Sequence, residues 1–247
     1  MERPDPRFPV APAPIVLGLD PGQRRDPSGI AVVEVSSRPS GRTRTGRSPT
    51  SATTWEEPIR ESTFTVRAVH RLPLGTPYET VARLTASIVR TIRLADAETP
   101  ADEATFGNLE RPRRLVEVRV DVTGLGRPVF EMVERELLGS GARAIACTLV
   151  SGQGFERKGG WSVSKAYLTT RLQALLETGR LRVAAGTDAE ALLEELRTFE
   201  VRRSEAGRFL SGAFRSGAHD DLAIAVGLAI VADPAVARVV PMPVGWL

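Results

Sequence analysis

Short apolar runs and amphipathic segments alternate along the chain, and their order predicts an α/β fold. The first two runs, residues 15–20 and 29–35, are apolar enough for buried strands, and a turn rich in Pro, Gly and Asp separates them. A third strand is predicted over 63–72, and later strands over 115–121 and 142–150. Three strands therefore come early as neighbours, and two come later, each followed by a helical segment.

Helical periodicity follows the third strand and each later strand. Helices are predicted near 77–94 and over 128–138, where proline at the first helical position is favourable. A leucine stripe predicts a helix over 165–179 that ends at a glycine, and a capping box opens another at 187–190. Small apolar residues over 222–227 predict the last helix. This order favours a three-layer α/β domain.

We interpret residues 15–232 as one domain, with a Pro-rich tail at 1–14 and a second tail at 233–247. Residues 36–62 are predicted to be a disordered insertion rich in Arg, Ser and Thr. Positions 36–54 contain four arginines, no acidic residue and almost nothing apolar to bury. The alternative is a basic arm that contacts DNA.

Composition limits the choice of function without deciding it. A net charge of +3 and a pI near 9.6 permit a nucleic-acid surface but do not require one. The single cysteine, Cys147, excludes an internal disulfide and lies in an apolar run typical of a core strand. The start of the chain lacks the pattern of a secretory signal, and no apolar run reaches membrane-spanning length. We therefore expect a cytoplasmic protein.

Acidic residues stand at the ends of predicted elements. Asp20 closes the first strand, Asp121 closes the fourth, and Asp220 and Asp221 open the last helix. If these carboxylates converge, they suit Mg²⁺ or Mn²⁺, and two such ions about 3.5–4 Å apart clamp the oxygens of a phosphoryl displacement. Without cations the carboxylates would raise one another's pKa. The pattern predicts a nuclease, although each acid taken alone fits a turn or helix cap.

Five short segments follow one another in a distinctive order and spacing: GLD at 18–20, DPSGIA at 26–31, VDVTGLG at 120–126, SK at 164–165 and GAHDDLAIA at 217–225. Together they resemble the C-terminal nuclease domain of phage large terminase subunits, a member of the RNase H-like superfamily with RuvC-type resolvases as relatives. The resemblance covers residues 15–232.

This resemblance implies an RNase H-like three-layer fold with a central mixed five-stranded sheet flanked by helices. It implies a metal-dependent DNA endonuclease that uses two Mg²⁺ or Mn²⁺ ions. Asp20 would hold both ions, while Asp121 and Asp221 would each complete one coordination shell. Asp220 could substitute for Asp221, and the sequence does not choose between them.

Four further residues are candidates for DNA contact or catalysis. His219, beside the acids, could orient water, ligate a metal or contact the phosphate, or simply begin the helix. Lys165 could neutralise a DNA phosphate. Arg157 and Lys158 lie in a Gly-rich loop with Trp161. This loop could contact the DNA backbone without reading sequence, or Trp161 could instead pack against the sheet.

Two other classes of function stay open. The glycines of 154–159 lack the Lys-Ser/Thr of a Walker A loop, so the terminase ATPase motor has no counterpart here, and a separate ATPase subunit acting in trans is the partner suggested. An actin-like or sugar-kinase ATP-binding protein would explain Asp20-Pro21-Gly22, but not the C-terminal acids. A non-catalytic module that binds DNA or a partner is the second alternative.

Overall fold

The computed structural model describes most of the central part of the chain. The described residues are 12–22, 26–47, 54–98, 113–151, 154–157, 160–186, 188–203, 209–213 and 220–234. Apart from 12–14 and 233–234, the two predicted tails lie outside these ranges. The division into one domain and two tails stays a prediction.

The described strands form one large mixed sheet and one separate hairpin. The large sheet has the order β6-β7-β5-β4-β1-β2-β3-β8. Its strands are β1 Ile15–Asp20, β2 Gly29–Arg47, β3 Thr54–Arg71, β4 Val116–Asp121, β5 Arg143–Val150, β6 Phe155–Arg157, β7 Trp161–Ser164 and β8 Leu181–Val183. The hairpin pairs β9 Phe199–Arg203 with β10 Phe209–Ala213.

Helices cover both faces of the large sheet. They are α1 Tyr78–Glu98, α2 Gly126–Glu136, α3 Lys165–Glu177, α4 Ala189–Thr198 and α5 Asp221–Ile230. Helices α1 and α2 pack on one face, whereas α3, α4 and α5 supply the core of the other. The predicted three-layer α/β architecture is confirmed. No helix in the described ranges combines the length and hydropathy needed to cross a bilayer.

The sheet is larger than the five strands that the resemblance implied. The five predicted strands are contiguous at its centre, in the order β3-β2-β1-β4-β5, and the short strands β6, β7 and β8 extend its two edges. Strands of three or four residues carry too few positions to show an alternating pattern, so sequence periodicity does not reveal them.

The prediction of a disordered insertion at 36–62 was wrong over its described part. Strands β2 and β3 continue beyond the sheet as an antiparallel ribbon, paired as far as Arg47 and Thr54. Cross-strand contacts join its polar side chains: Arg38 Nε donates to Glu61 at 2.8 Å, and the Thr45 hydroxyl donates to Glu56 at 2.8 Å. Backbone pairing and such contacts hold a ribbon without an apolar face, which is why hydropathy did not predict it.

Helix α5 lies almost in backbone contact with the centre of the sheet. A methyl group placed on Gly18 of β1 would be 1.8 Å from the carbonyl oxygen of Ala225, and one on Gly29 of β2 would be 2.5 Å from that of Asp221. Every residue of α5 is buried. Glycines on the strands therefore set how close α5, and the acids at its start, come to β1 and β2.

A buried arginine holds the other end of α5. The Arg119 side chain on β4 is fully buried, and its Nη1 donates to the carbonyl oxygens of Ala229 at 2.8 Å and Ala232 at 2.9 Å. Its Nη2 donates to Glu117 at 2.7 Å, and its guanidinium lies 4.6 Å from the ring centroid of Trp161. These bonds satisfy carbonyls that a helix leaves unpaired at its C-terminus.

We expect Gly18→Ala to destabilise the protein by about 1–3 kcal/mol, the usual cost of forcing extra atoms into a packed core. The new methyl group would meet helix backbone, which cannot rotate away. Urea unfolding measures the change. Gly186→Ala is the matched control, because no atom of the described residues lies within 4 Å of its added methyl group. Equal stability of both variants would contradict the close packing of α5.

Candidate active site

The first two predicted acids end neighbouring parallel strands. Strands β1 and β4 pair in parallel, with Leu19 opposite Val120. Asp20 and Asp121 are the next residues of these strands, so they lie side by side at the same edge of the sheet. Carboxyl ends of parallel strands are where open α/β sheets bind ligands. One Asp121 oxygen accepts a hydrogen bond from the Thr123 backbone N–H at 2.7 Å, which fixes that side chain.

The acids at the start of α5 have different surroundings. Asp220 occupies the N-cap position, is half-buried, and makes no capping hydrogen bond with its side chain. Asp221 is buried, and its Oδ2 accepts a hydrogen bond from Arg71 Nε at 3.1 Å. The two neighbouring carboxylates are thus held differently, which the sequence did not indicate.

Asp20, Asp220 and Asp221 line an open cleft of about 480 Å³. Its walls are lined by Asp20, Pro21, Gly22, Asp26, Pro27, Tyr78, Leu125, Lys165, Asp220 and Asp221. Asp121 does not line the walls, but its charge reaches Asp20. Lys165 directly follows β7 at the first position of α3, where the Ser164 side chain caps the helix.

Burial shifts the titration of both strand-end acids, and repulsion from neighbouring acids adds to the shift at Asp20. Burial, followed by the charges of Asp121 and Asp220, raises the pKa of Asp20 well above its ordinary value, and Lys165 opposes this rise. Burial also raises the pKa of Asp121, against hydrogen bonds from Thr123 that favour its charged form. Concentrated negative charge of this kind favours bound cations.

The donor set fits a hard divalent ion. Carboxylate oxygens are the ligands that Mg²⁺ and Mn²⁺ prefer. A cation would offset both causes of the raised pKa of Asp20, its burial and the repulsion from Asp121 and Asp220. In the described part of the chain, no three His, Cys, Asp or Glu side chains already lie close enough to share one ion. Ligation of one ion by three of these acids would therefore need at least one side chain to rotate.

Of the other residues predicted to contact DNA or take part in catalysis, some lie within the described part of the chain and some outside it. His219 and Lys158 lie outside the described residues. Arg157 is exposed on β6, with its guanidinium 4.7 Å from the ring centroid of Trp161. Of the two alternatives for Trp161, packing against the sheet is the one observed, because this side chain is only 8% exposed on β7 and lies in the core.

Cys147 lies beside the candidate site, in the core strand that the sequence predicted. It pairs with Asp121 across β4 and β5, and its carbonyl oxygen accepts a hydrogen bond from the Val122 N–H at 2.8 Å. Its thiol is fully buried, and burial raises its pKa to about 12. The thiol is therefore protonated at neutral pH, which is consistent with the predicted core position.

Sequence reasoning missed two residues that contact the α5 acids or the start of that helix. Arg71 ends β3 at the same edge of the sheet as Asp20, and this strand-end position was the available signal. Glu195 lies within α4, and no sequence pattern connects it with α5. Its carboxylate nevertheless accepts a hydrogen bond from the Ala223 N–H at 2.8 Å.

No protein-family model and no curated protein sequence matches this chain. Solved structures do share its architecture. The large terminase nuclease of thermophilic phage G20c with bound magnesium has a TM-score of 0.50 and 20% identity, over 92% of this chain and 88% of that one. The nuclease domain of the large terminase subunit of bacterial virus Sf6 has a TM-score of 0.53 and 14% identity, over 92% and 91%. The chain has the fold of a large terminase nuclease domain.

A mutant of the Sf6 terminase nuclease domain, solved with manganese and β-thujaplicinol, has a TM-score of 0.55 and 15% identity over 92% of this chain and 91% of that one. The RNase H-like fold predicted for this chain is therefore confirmed. The extra edge strands enlarge that fold without interrupting its five central strands. Asp20 and Asp121 end two neighbouring central strands of this fold.

Proposed function

We propose that this chain is a metal-dependent DNA endonuclease that hydrolyses phosphodiester bonds with two Mg²⁺ or Mn²⁺ ions. One observation carries the proposal: acids from β1, β4 and the start of α5 lie at one edge of the sheet, where burial and then the charges of Asp121 and Asp220 raise the pKa of Asp20. The terminase nuclease fold supports it. A cytoplasmic location and a separate ATPase subunit in trans belong to the same proposal.

Asp20, Asp121 and Asp220 are the side chains that would hold the ions. Asp220 is half-buried beside the cleft, and its side chain is not used as a helix cap. Asp221 is the less accessible of the two neighbours, because it is buried against Arg71. We therefore assign the third position to Asp220, with Asp221 as the substitute. We assign His219, which directly precedes Asp220, to one of its three predicted roles: orienting water, ligating a metal or contacting the phosphate.

Bound Mg²⁺ or Mn²⁺ would supply Lewis acidity to the phosphate and lower the pKa of water. The chain's own residues supply position and charge. Asp20 and Asp121, fixed at the ends of buried strands, set where cations collect. Lys165 lines the same cleft and would neutralise a phosphate oxygen, and exposed Arg157 would contact the DNA backbone further along β6.

Incubation of supercoiled plasmid with the purified chain and Mg²⁺, Mn²⁺ or EDTA tests the proposal. We expect nicked and linear DNA with either metal and intact plasmid with EDTA. Cleavage that persists in EDTA would exclude a metal-dependent reaction. A folded chain that binds DNA but leaves it intact with both metals would instead favour a non-catalytic binding module.

We expect Lys165→Met to weaken DNA binding and to make it less sensitive to salt. Each phosphate contact contributes about 0.9 to the slope of log K against log salt concentration, so loss of one contact should lower that slope by about 1. Fluorescence anisotropy at several salt concentrations measures the slope. Arg182→Met, which removes an exposed charge from the edge strand β8, is the control and should leave the slope unchanged. Equal slopes for all three proteins would contradict a phosphate contact by Lys165.

A further inference from the structure

We infer that Arg71 and Glu195 are positioning residues for the metal site. Together they fix the first turn of α5, so that Asp220 faces the cleft while Asp221 is held against β3. The inference rests on the proposed function, since it concerns how the third acid of that site is placed. Its physical basis is a set of contacts that join β3, α4 and α5.

Arg71 bridges two carboxylates from different helices. Its Nε donates to Asp221 Oδ2 at 3.1 Å, and its Nη2 forms an ion pair with Glu195 Oε1. Its backbone N–H donates to Asp188 Oδ2 at 3.2 Å, so the end of β3 is itself tied to the start of α4. Both carboxylates that the guanidinium contacts are buried. An arginine fork suits this arrangement because it offers several donors in one rigid plane.

Glu195 caps α5 from outside the helix. One oxygen pairs with Arg71, and the other accepts the Ala223 N–H at 2.8 Å. Ala223 is the third residue of α5, the position whose N–H an N-cap side chain usually satisfies. Since Glu195 supplies this bond, the N-cap residue Asp220 does not have to. The carboxylate of Asp220 is thereby left for the cleft that it lines.

The two contacts have one combined effect on the acids. Asp221 is directed toward Arg71, and the helix start is satisfied without using Asp220. Without Arg71, the buried charges of Asp221 and Glu195 would lose a shared cation and repel each other. The first turn of α5 would then shift or rotate, and Asp220 would lose its placement relative to Asp20.

Calorimetric titration of Mn²⁺ into the metal-free full chain tests this inference. We expect Arg71→Gln and Glu195→Gln to weaken Mn²⁺ binding 10- to 100-fold, the usual effect of losing a residue that orients a metal ligand. The affinity of the double variant for Mn²⁺ should equal that of the single variant that binds Mn²⁺ more weakly. The losses should not add, because each substitution breaks the same Arg71–Glu195 contact. Arg71→Lys keeps the charge but not the fork, and should show an intermediate loss.

Arg67→Gln is the matched control. It lies on the same strand and pairs with Glu34 at 3.0 Å, away from α5, and should bind Mn²⁺ like the parent. Thermal unfolding in EDTA separates positioning from stability. A lower Tm with unchanged Mn²⁺ affinity in Arg71→Gln and Glu195→Gln would overturn the inference. Additive losses of Mn²⁺ affinity in the double variant would overturn it as well. If Arg71→Gln does not fold, Arg71→Lys and Glu195→Gln decide the matter by the same criteria. A parent chain that binds no Mn²⁺ would remove the proposed function first, and the inference with it.

Discussion

Asp20→Asn is expected to abolish metal-dependent plasmid cleavage and, at the same time, to stabilise the metal-free protein. The loss of cleavage should be about a thousandfold or more, because metal stabilisation of the transition state contributes several kcal/mol and each tenfold in rate corresponds to about 1.4 kcal/mol. The gain in stability should be about 0.5–2 kcal/mol, the usual size of a single stabilising substitution. Asp121→Asn should cause a comparable loss of cleavage.

The gain in stability follows from the sign of the pKa shift. Folding raises the pKa of Asp20, mainly through burial, so the folded state binds this proton more tightly than the unfolded state does. Without metal, the stability of the parent should therefore fall as pH rises from the ordinary aspartate pKa through the raised value in the folded protein. Asp20→Asn should remove that part of the decline. Urea unfolding in EDTA at several pH values measures both effects.

Asp233→Asn is the control for this substitution. Asp233 follows the far end of α5, where its exposed carboxylate pairs with Arg171 at 3.0 Å. Plasmid cleavage by this variant should equal that of the parent. Retention of cleavage by a folded Asp20→Asn variant would refute the proposed site, and a lower stability at neutral pH would contradict the assignment of Asp20 as a destabilising buried charge.

The second large effect is expected at the opposite end of α5, where Arg119→Met should destabilise the protein by about 3–5 kcal/mol. This is the usual cost of removing one partner of a buried ion pair, because Glu117 would keep a charge without its cation. The carbonyl oxygens of Ala229 and Ala232 would also lose their donor. Methionine preserves most of the side-chain volume, so the change isolates the polar contacts. Urea unfolding gives the free energy.

Two further variants make this result interpretable. Adding Glu117→Gln to Arg119→Met should recover part of the lost stability, since the amide leaves no buried charge. Arg127→Met removes an arginine from an exposed Arg–Glu pair in α2 and should change the stability by less than about 1 kcal/mol. An Arg119→Met variant as stable as Arg127→Met would show that the buried network contributes little to folding.

The sequence predicted the central strands and the positions of the acids well, for a physical reason. The inner strands are buried on both faces: β1 reads as a continuous apolar run and β4 as valines alternating with charged residues, and each ends in an aspartate. Asp20 and Asp121 mark those ends. Parallel pairing of β1 and β4 then brings the two acids to one edge without any further signal in the sequence.

Contacts made between distant polar residues could not be predicted in the same way. Arg119 carries a charge in the middle of a buried strand, and only the folded structure shows that helix carbonyls and Glu117 surround it. Glu195 meets Ala223 across 28 positions of sequence, with nothing local to mark either as a partner. Hydropathy patterns describe burial of apolar groups, whereas these contacts depend on which polar groups the fold brings together.

The position of Cys147 makes its thiol a probe of local opening beside the candidate site. Its thiol is the sole one in the sequence and lies directly across from Asp121, protonated and closed to solvent. A thiol reagent can therefore modify it only when the core packed over this face of β5 opens, and the rate of modification reports how often that opening occurs. Labelling with and without Mn²⁺ would express the effect of ion binding as a change in this opening frequency, without any nucleic acid in the tube.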